Sequence, residues 1–204
     1  MILIPKNLYK DAVALLNYSR KQRTELLQMR KVGSGNVPSM LFETQRVRVQ
    51  LWQPGDEDNI YTIYGDPQVA TYVDDGQPIP YEDCARWIEI TLKNYESRGY
   101  GMLAFISKET GIWIGCGGFV HPGGQQEPEL KYAFGSDHWG QGYATEVLTQ
   151  LVIFGRESWA LKSIIATVHP ENSASQHVLS KLGFTRGEDR IEDDGEVTQV
   201  WELD

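Results

Sequence analysis

The chain has 204 residues, 41% of them hydrophobic and 23% charged, and this composition is typical of a globular protein with a core of ordinary size. Its net charge of −9 argues against a nucleic-acid partner, because contacts to phosphates need clustered Lys and Arg. No apolar run approaches the ~20 residues of a membrane helix, so we expect a cytoplasmic protein with no membrane partner. Cys84 and Cys116 lie far apart in the sequence and indicate buried thiols rather than a disulfide framework or a zinc site.

The charge is divided unevenly between two parts of the chain. Residues 1–40 contain seven basic and two acidic residues, a net +5, whereas residues 41–204 contain 12 basic and 26 acidic residues, a net −14. Apolar spacing over residues 7–32 predicts a helix, and the Gly- and Pro-containing stretch 33–38 predicts a linker. We therefore expect a basic helical extension (1–40) and a folded body (41–204). The extension would pack on the acidic body or on a twin subunit in a homodimer, or dock to a membrane or another partner.

Hydrophobic periodicity and turn residues divide the body into alternating strands and helices. In chain order we predict a strand at 46–51, helices at 56–73 (broken at 66–67) and 81–98, a hairpin of strands at 102–107 and 112–120, a strand at 129–134, a long helix from 144, a strand at 163–168, a short helix at 173–182, and strands at 184–191 and 197–203. The short helix would begin with a capping box at Ser173 and end at Gly183. Because the elements between 129 and 168 form a parallel βαβ unit beside hairpins, the expected fold class is α/β (α+β) with a mixed sheet.

Gly140 and Gly142 lie in the turn that joins the strand 129–134 to the long helix. The first N–H groups of such a helix are unpaired and have the helix dipole behind them, so the turn favours an anion. Glycine also lets a bulky phosphate approach the main chain closely. A Gly-x-Gly before a helix can equally be a tight turn without a ligand, so other features have to decide between the two.

Other phosphate, hydrolase and metal motifs are missing from the sequence. There is no Gly-x-x-x-x-Gly-Lys-Ser/Thr, and the glycines at 115, 117 and 118 precede a His-Pro that is unsuited to opening a helix. No Gly-x-Ser-x-Gly elbow occurs, and the four histidines show no metal-ligand spacing. These absences disfavour nucleotide hydrolysis, dinucleotide binding, serine hydrolysis and a metal site.

Three separated motifs resemble those of the GNAT acetyltransferases, in the branch that includes ribosomal-protein N-terminal acetyltransferases. They are WGQGYATE at residues 139–146, HPENSAS at 169–175 and KLGF at 181–184, and they occur in this order. The resemblance covers residues 41–204. It implies a mixed central sheet of about six to seven strands, in which a parallel pair splays apart between flanking helices. It also implies acetyl-CoA as the cosubstrate, with no metal.

The resemblance further assigns the residues that bind the cofactor. The loop from Gly140 to Ala144 would hold the pyrophosphate through its backbone amides, although Trp139 stands where many members have Gln or Arg. The strand before the loop would pair its backbone with the pantetheine arm. Asn172 would also contact this arm, unless it serves only to begin the following helix. The full set is Tyr132, Ala133, Phe134, Gly140, Gln141, Gly142, Tyr143, Ala144, Asn172 and Ser175.

The usual acid of the family is missing from this sequence. Many members place a Tyr five residues before the Phe of the third motif, and this position is Leu179. Ser175 is the alternative donor to the departing thiolate, with a first-turn cap as its other interpretation. Glu129 is the candidate general base, acting through water from the start of the cofactor strand. Alternative bases, each of which could instead be solvated surface, are Glu188, Glu192 and Asp193.

Together these assignments predict an N-acetyltransferase that moves an acetyl group from acetyl-CoA to a primary amine by direct attack on the thioester. An acidic body would attract a cationic acceptor, and a protein N-terminus, a polyamine and an amino-sugar all satisfy this condition. A catalytically idle acyl-CoA-binding or interaction module is the alternative, favoured by Leu179, by Trp139 and by the basic extension.

Overall fold

The computed structural model describes residues 40–73, 76–191, 195 and 197–204. The predicted helix 7–32 and linker 33–38 lie outside these ranges, so the division of the chain at residue 40 stays a prediction. Two of the alternative bases, Glu192 and Asp193, also lie outside them.

A nine-stranded sheet forms the centre of the described residues. Its strands are β1 (Met40–Glu43), β2 (Val47–Leu51), β3 (Met102–Ser107), β4 (Trp113–Val120), β5 (Glu129–Phe134), β6 (Ile164–Val168), β7 (Thr185–Arg186), β8 (Arg190–Ile191) and β9 (Val197–Leu203). They run in the order β1-β2-β3-β4-β5-β6-β9-β7, and β8 pairs with β9. The sheet has more strands than the six to seven predicted, for two reasons. β1 was not predicted, and the single strand expected at 184–191 is the two short strands β7 and β8.

The sheet is mixed because β5 and β6 are parallel whereas their neighbours are antiparallel. Within the described residues β5 and β6 are in register at one position, Glu129 with Ile165, and the Ile165 N–H donates to the Pro128 carbonyl at 3.0 Å. On its other edge β5 stays paired with β4 as far as Phe134. The two parallel strands therefore separate after their first residues, which confirms the predicted splay.

Five helices accompany the sheet in the described part of the chain. They are α1 (Glu57–Tyr64), α2 (Pro67–Ala70), α3 (Tyr81–Arg98), α4 (Tyr143–Trp159) and α5 (Ser173–Lys181), and 3-10 turns occur at Pro122–Gly124 and Ser136–His138. The break between α1 and α2 has a local cause. Asp66 is the N-cap of α2 and its carboxylate accepts from the Gln68 N–H, while Pro67 occupies the first helical position.

Two apolar clusters lie on opposite faces of the sheet. The first packs α4 and α5 against the sheet through residues such as Leu148, Leu151 and Leu179. The second packs α1 and α3 against the other face, and it contains both cysteines. Cys84 and Cys116 are buried and free, as predicted, and burial raises the pKa of the Cys116 thiol to about 12. A thiol in this state is neutral and unreactive near pH 7.

The three glycines of β4 have a packing role. A Cβ added to Gly115 would lie 2.5 Å from the Ala133 carbonyl oxygen, and one added to Gly117 would lie 2.8 Å from the Phe105 ring. These residues therefore let β4 lie close to its neighbours, which agrees with the absence of a phosphate-binding motif at 115–118.

Replacement of Gly118 by alanine is expected to destabilise the fold by about 1–3 kcal/mol, since the added methyl group overpacks the sheet. A Cβ at this position would lie 2.1 Å from the Gly101 carbonyl oxygen, and a backbone atom cannot move aside cheaply. Urea unfolding measures the effect. Gly135→Ala is the matched control, because the nearest atom to its new Cβ would be His138 Cδ2 at 3.5 Å. Equal unfolding midpoints for the two variants would contradict the prediction.

Candidate active site

The turn between β5 and α4 presents the start of a long helix. Gly140 and Gly142 have φ angles of +70° and +79°, in the left-handed region where a side chain is strained. Gly142 is the N-cap of α4, and no side-chain hydrogen bond caps this helix within the described residues. The Glu146 N–H donates to the Gly142 carbonyl at 3.1 Å and starts the helical ladder. The amides of Tyr143 and Ala144 precede it, and first-turn amides without a side-chain cap can donate to an anion.

The side chains of Trp139 and Gln141 bond to the backbone that leads into the turn. Trp139 Nε1 donates to the Phe134 carbonyl at 2.7 Å, and Gln141 Nε2 donates to the Asp137 carbonyl at 2.8 Å. Trp139 is 50% exposed. This unusual residue therefore fixes the loop by its indole N–H while leaving the backbone amides clear.

Arg46, which the sequence reasoning missed, lies against the same turn. Its Nη1 donates to the Gln141 carbonyl at 3.0 Å, and its guanidinium lies 4.2 Å from the centroid of the Tyr143 ring. Its Nε is 2.6 Å from an oxygen of Glu146 in the first turn of α4. Arg46 precedes β2 and is 95 residues from Gln141, so no local pattern could have linked the two.

The backbone of Tyr132, Ala133 and Phe134 lies along the open side of the splay. Tyr132 and Phe134 pair with Gly117 and Gly115 of β4 on one edge. The opposite edge faces the gap between β5 and β6. An unpaired strand edge of this kind can form hydrogen bonds with an extended ligand such as a pantetheine arm. The structure thus places the three residues where the prediction needs them, and their contact with the cofactor stays a prediction.

The start of α5 brings together Asn172, Ser175 and Tyr132. The capping box predicted at Ser173 is wrong, because the N-cap is Asn172, whose Oδ1 accepts from the Ser175 N–H at 3.0 Å. An amide oxygen is a strong N-cap and reaches the third residue of the helix. The Asn172 side chain therefore begins the helix, and its amide nitrogen remains as the group that could contact a ligand.

The Ser175 hydroxyl contacts a tyrosine of β5. Ser175 Oγ and the Tyr132 hydroxyl oxygen are 2.7 Å apart, and either hydroxyl can donate. Burial raises the pKa of Tyr132 to about 12, although the hydrogen bond with Ser175 opposes this shift. The phenol is therefore protonated at every physiological pH. Sequence reasoning assigned only the backbone of Tyr132 a role, because the two residues are 43 positions apart and no local pattern shows their contact.

Leu179 is a buried packing residue at the position where many members of the family have their acid. Its side chain is fully buried in the cluster between α5 and the sheet. A hydroxyl at this position would lose its hydration unless it found a partner. In this chain the position therefore serves packing, and one turn earlier on the same helix Ser175 has a hydroxyl that contacts Tyr132.

Glu129 is a buried carboxylate at the point where β5 and β6 meet. It is 1% exposed and has an ion pair with Lys131 Nζ at 2.7 Å. The Thr167 hydroxyl donates to its Oε1, and Gln125 Nε2 donates to its Oε2 at 3.2 Å. Lys131 Nζ also donates to Thr167 Oγ1 at 2.9 Å. Glu129 therefore has partners at both oxygens, and Thr167 is the group through which a proton could reach it.

The two sets of polar groups lie on opposite faces of β5. Side chains alternate along a strand, so Glu129, Lys131 and Ala133 share one face and Tyr132 shares the other with Leu130 and Phe134. Ala133 belongs to the cluster with α1 and α3, whereas Tyr132 packs on the cluster with α4 and α5. A carboxylate thus lies on one side of the strand and a pair of hydroxyls on the other. Of the alternative bases, Glu188 is exposed and lies in the segment between β7 and β8.

The chain matches the GNAT acetyltransferase domain family over residues 46–185. This match spans more than half of the chain and contains the splay, the glycine turn and α5. The chain belongs to the GNAT acetyltransferase family. A GNAT protein catalyses acetyl-CoA-dependent acetyl transfer, so this chain is an N-acetyltransferase.

Similar proteins support this assignment. An N-acetyltransferase named p20 from Bacillus licheniformis is 30% identical over 147 residues, which cover 70% of this chain and 81% of p20. An acetyltransferase structure from Agrobacterium tumefaciens has a TM-score of 0.70 and 25% identity, and the match covers 84% of this chain and 99% of that one. A ribosomal-protein-S5-alanine acetyltransferase from Vibrio fischeri has the same fold, with a TM-score of 0.66, 16% identity, and coverage of 82% and 96%.

No helix in the described part of the chain is long and apolar enough to span a bilayer. The described residues also contain no group of three or more His, Cys, Asp or Glu side chains arranged to hold a metal ion.

Proposed function

We propose that this GNAT enzyme acetylates a primary amine of low pKa, with the α-amine of a polypeptide N-terminus as the preferred acceptor. The observation that carries this proposal is the Glu129–Lys131 ion pair on the face of β5 opposite the hydroxyl pair. An amino-sugar is the second candidate, and a polyamine is disfavoured.

Lys131 disfavours an acceptor with several positive charges. Its side chain is 42% exposed and projects from the middle of β5, beside the splay. A polyamine would bring further ammonium groups next to this lysine, and like charges repel. An acceptor with a single amine can approach with less repulsion, especially when that amine is neutral.

The state of Glu129 also favours an amine that loses its proton easily. The Glu129 carboxylate already has an ion pair with Lys131 and accepts hydrogen bonds from Thr167 and Gln125, so it is not free to bind an ammonium ion directly. An α-amine with a pKa of about 7.7–8.0 is partly neutral near pH 7, whereas a lysine amine with a pKa of about 10.4 is almost fully protonated. A weak general base is therefore enough to deprotonate an α-amine and inadequate to deprotonate a lysine amine.

In the proposed reaction, residues on one face of β5 accept the proton of the amine and residues on the other face donate a proton to the thiolate. When bound, acetyl-CoA supplies the thioester carbonyl and the thiolate leaving group. The turn at Gly140 to Ala144 offers backbone amides to the pyrophosphate, and its uncapped helix start fits an anion. The Thr167 hydroxyl takes up the proton of the attacking amine as it passes its own to Glu129. On the other face Ser175 donates to the thiolate, and Tyr132 donates to Ser175.

A panel of amines tests the proposed acceptor by release of free thiol from acetyl-CoA. It contains a lysine-free peptide with a free α-amine, the same peptide blocked at its N-terminus and carrying one lysine, glucosamine, and spermidine. We expect kcat/KM for the free α-amine to exceed that for the blocked peptide at least about tenfold, because of the difference in neutral amine. Spermidine as the fastest acceptor would contradict the proposal, and binding of acetyl-CoA without thiol release on any amine of the panel would favour the idle module.

A variant of Lys131 tests whether its positive charge causes the selectivity against polyamines. Lys131→Gln removes the positive charge, and its KM for spermidine should fall while its KM for the α-amine peptide stays within about twofold. Lys93→Gln is the matched control, since Lys93 forms an exposed ion pair with Glu89 on α3. Unchanged spermidine kinetics in Lys131→Gln would remove Lys131 from the selectivity.

A further inference from the structure

We infer that Arg46 is a positioning residue for the cofactor loop, which it keeps suited to a diphosphate by neutralising Glu146 and fixing the Gln141 carbonyl. The inference rests on the proposed role of the turn between β5 and α4 as the diphosphate site. It concerns a residue outside the three motifs, which comes from the hairpin of β1 and β2.

Glu146 creates an electrostatic conflict in this loop. It lies in the first turn of α4, the same turn that contains the amides of Tyr143 and Ala144. Although burial opposes ionisation, hydrogen bonds from Thr44 and from the Arg46 backbone and side chain lower the pKa of Glu146 below its ordinary value. Its carboxylate is therefore negative near pH 7, and a fixed negative charge beside these amides repels an incoming diphosphate.

Arg46 resolves this conflict because it lies between Glu146 and the turn. Its Nε is 2.6 Å from Glu146 Oε2, and its backbone N–H donates to Glu146 Oε1 at 2.8 Å. The other end of the guanidinium reaches the turn, and Nη2 would lie 3.7 Å from a Cβ added to Gly142. The positive charge of Arg46 thus neutralises the Glu146 carboxylate beside the proposed diphosphate site.

Arg46 also fixes the shape of the turn. Its Nη1 holds the Gln141 carbonyl oxygen at 3.0 Å, and its guanidinium covers the Tyr143 ring at 4.2 Å. A carbonyl that is held by an arginine cannot turn its negative end towards a phosphate. The residues on both sides of Gly142 are therefore oriented before the ligand arrives, and preorganisation of this kind lowers the cost of binding.

The test measures the affinity for coenzyme A in Arg46→Gln, Glu146→Gln and the double variant. Loss of a charge-assisted contact should weaken coenzyme A binding by Arg46→Gln about tenfold. The double variant should recover most of the affinity, because the uncompensated carboxylate is gone. Arg48→Gln is the matched control from the adjoining strand β2, since Arg48 pairs with Glu43 rather than with Glu146, and its affinity should stay unchanged.

Pantetheine, which has no diphosphate, separates this role from general loosening of the fold. Its affinity, measured by competition against coenzyme A, should be the same in the wild type and in Arg46→Gln. Equal losses for both ligands, unchanged coenzyme A affinity in Arg46→Gln, or a double variant as weak as Arg46→Gln would each overturn the inference. If Gly142→Glu retains full affinity for coenzyme A, the loop assignment itself fails, and this result is distinct from those three.

Discussion

Gly142→Glu is expected to lower the affinity for acetyl-CoA by at least about 100-fold. Gly142 is the N-cap of α4 and has a φ of +79°, so any side chain at this position strains the backbone. The new carboxylate would also occupy the space before the first amides of the helix and repel the diphosphate. Titration of the folded variant with acetyl-CoA measures the loss.

Gly111→Glu is the control for this substitution. Gly111 has a φ of +72° in the turn between β3 and β4, and a Cβ added there would have no heavy atom within 4 Å. The two variants therefore carry the same new side chain and a similar backbone strain at different places. Acetyl-CoA should bind to Gly111→Glu as it does to the wild type. Equal affinity in both variants would show that the pyrophosphate does not lie at the start of α4.

The elements that the sequence predicts well are those with strong periodicity and clear ends. The helix at 81–98 and the strand at 129–134 have the predicted bounds, because apolar spacing is regular in both and glycines follow closely. The start of α4 was also predictable, since two glycines precede an amphipathic stretch. β1 was missed because four residues give too short a pattern to distinguish from a linker.

The contacts that shape the candidate site could not be predicted, because they join distant parts of the chain. Arg46 meets Glu146 across 100 residues, and Tyr132 meets Ser175 across 43. Both pairs consist of residues that are common on protein surfaces, so neither residue type signals its partner. The motifs predict that the loop at Gly140 to Ala144 binds the cofactor, whereas the contacts of Arg46 with Glu146 and of Tyr132 with Ser175 become visible only in the fold.

Ser175→Ala is expected to reduce kcat about 100-fold, which is typical for the loss of a positioned proton donor. Tyr132→Phe should reduce kcat about tenfold, because Ser175 keeps its own hydroxyl but loses the donor behind it. The affinity for acetyl-CoA should change little in both, since neither substitution alters the loop at Gly140 to Ala144. Thiol release with the preferred amine measures kcat, and titration of the folded variants measures affinity.

The double variant tests whether the two hydroxyls act as one chain of hydrogen bonds. Its kcat should equal that of Ser175→Ala, because Tyr132 acts only through Ser175, whereas independent roles would multiply the losses. Ser180→Ala, on the exposed side of the same helix, is the control and should turn over at the wild-type rate.

Since burial raises the pKa of Tyr132 to about 12, the tyrosine stays a donor as pH rises and stops donating only near that value. A wild-type kcat that falls with a pKa near about 10, the ordinary value for tyrosine, and a fall that disappears in Tyr132→Phe, would mean that the phenol is exposed during turnover.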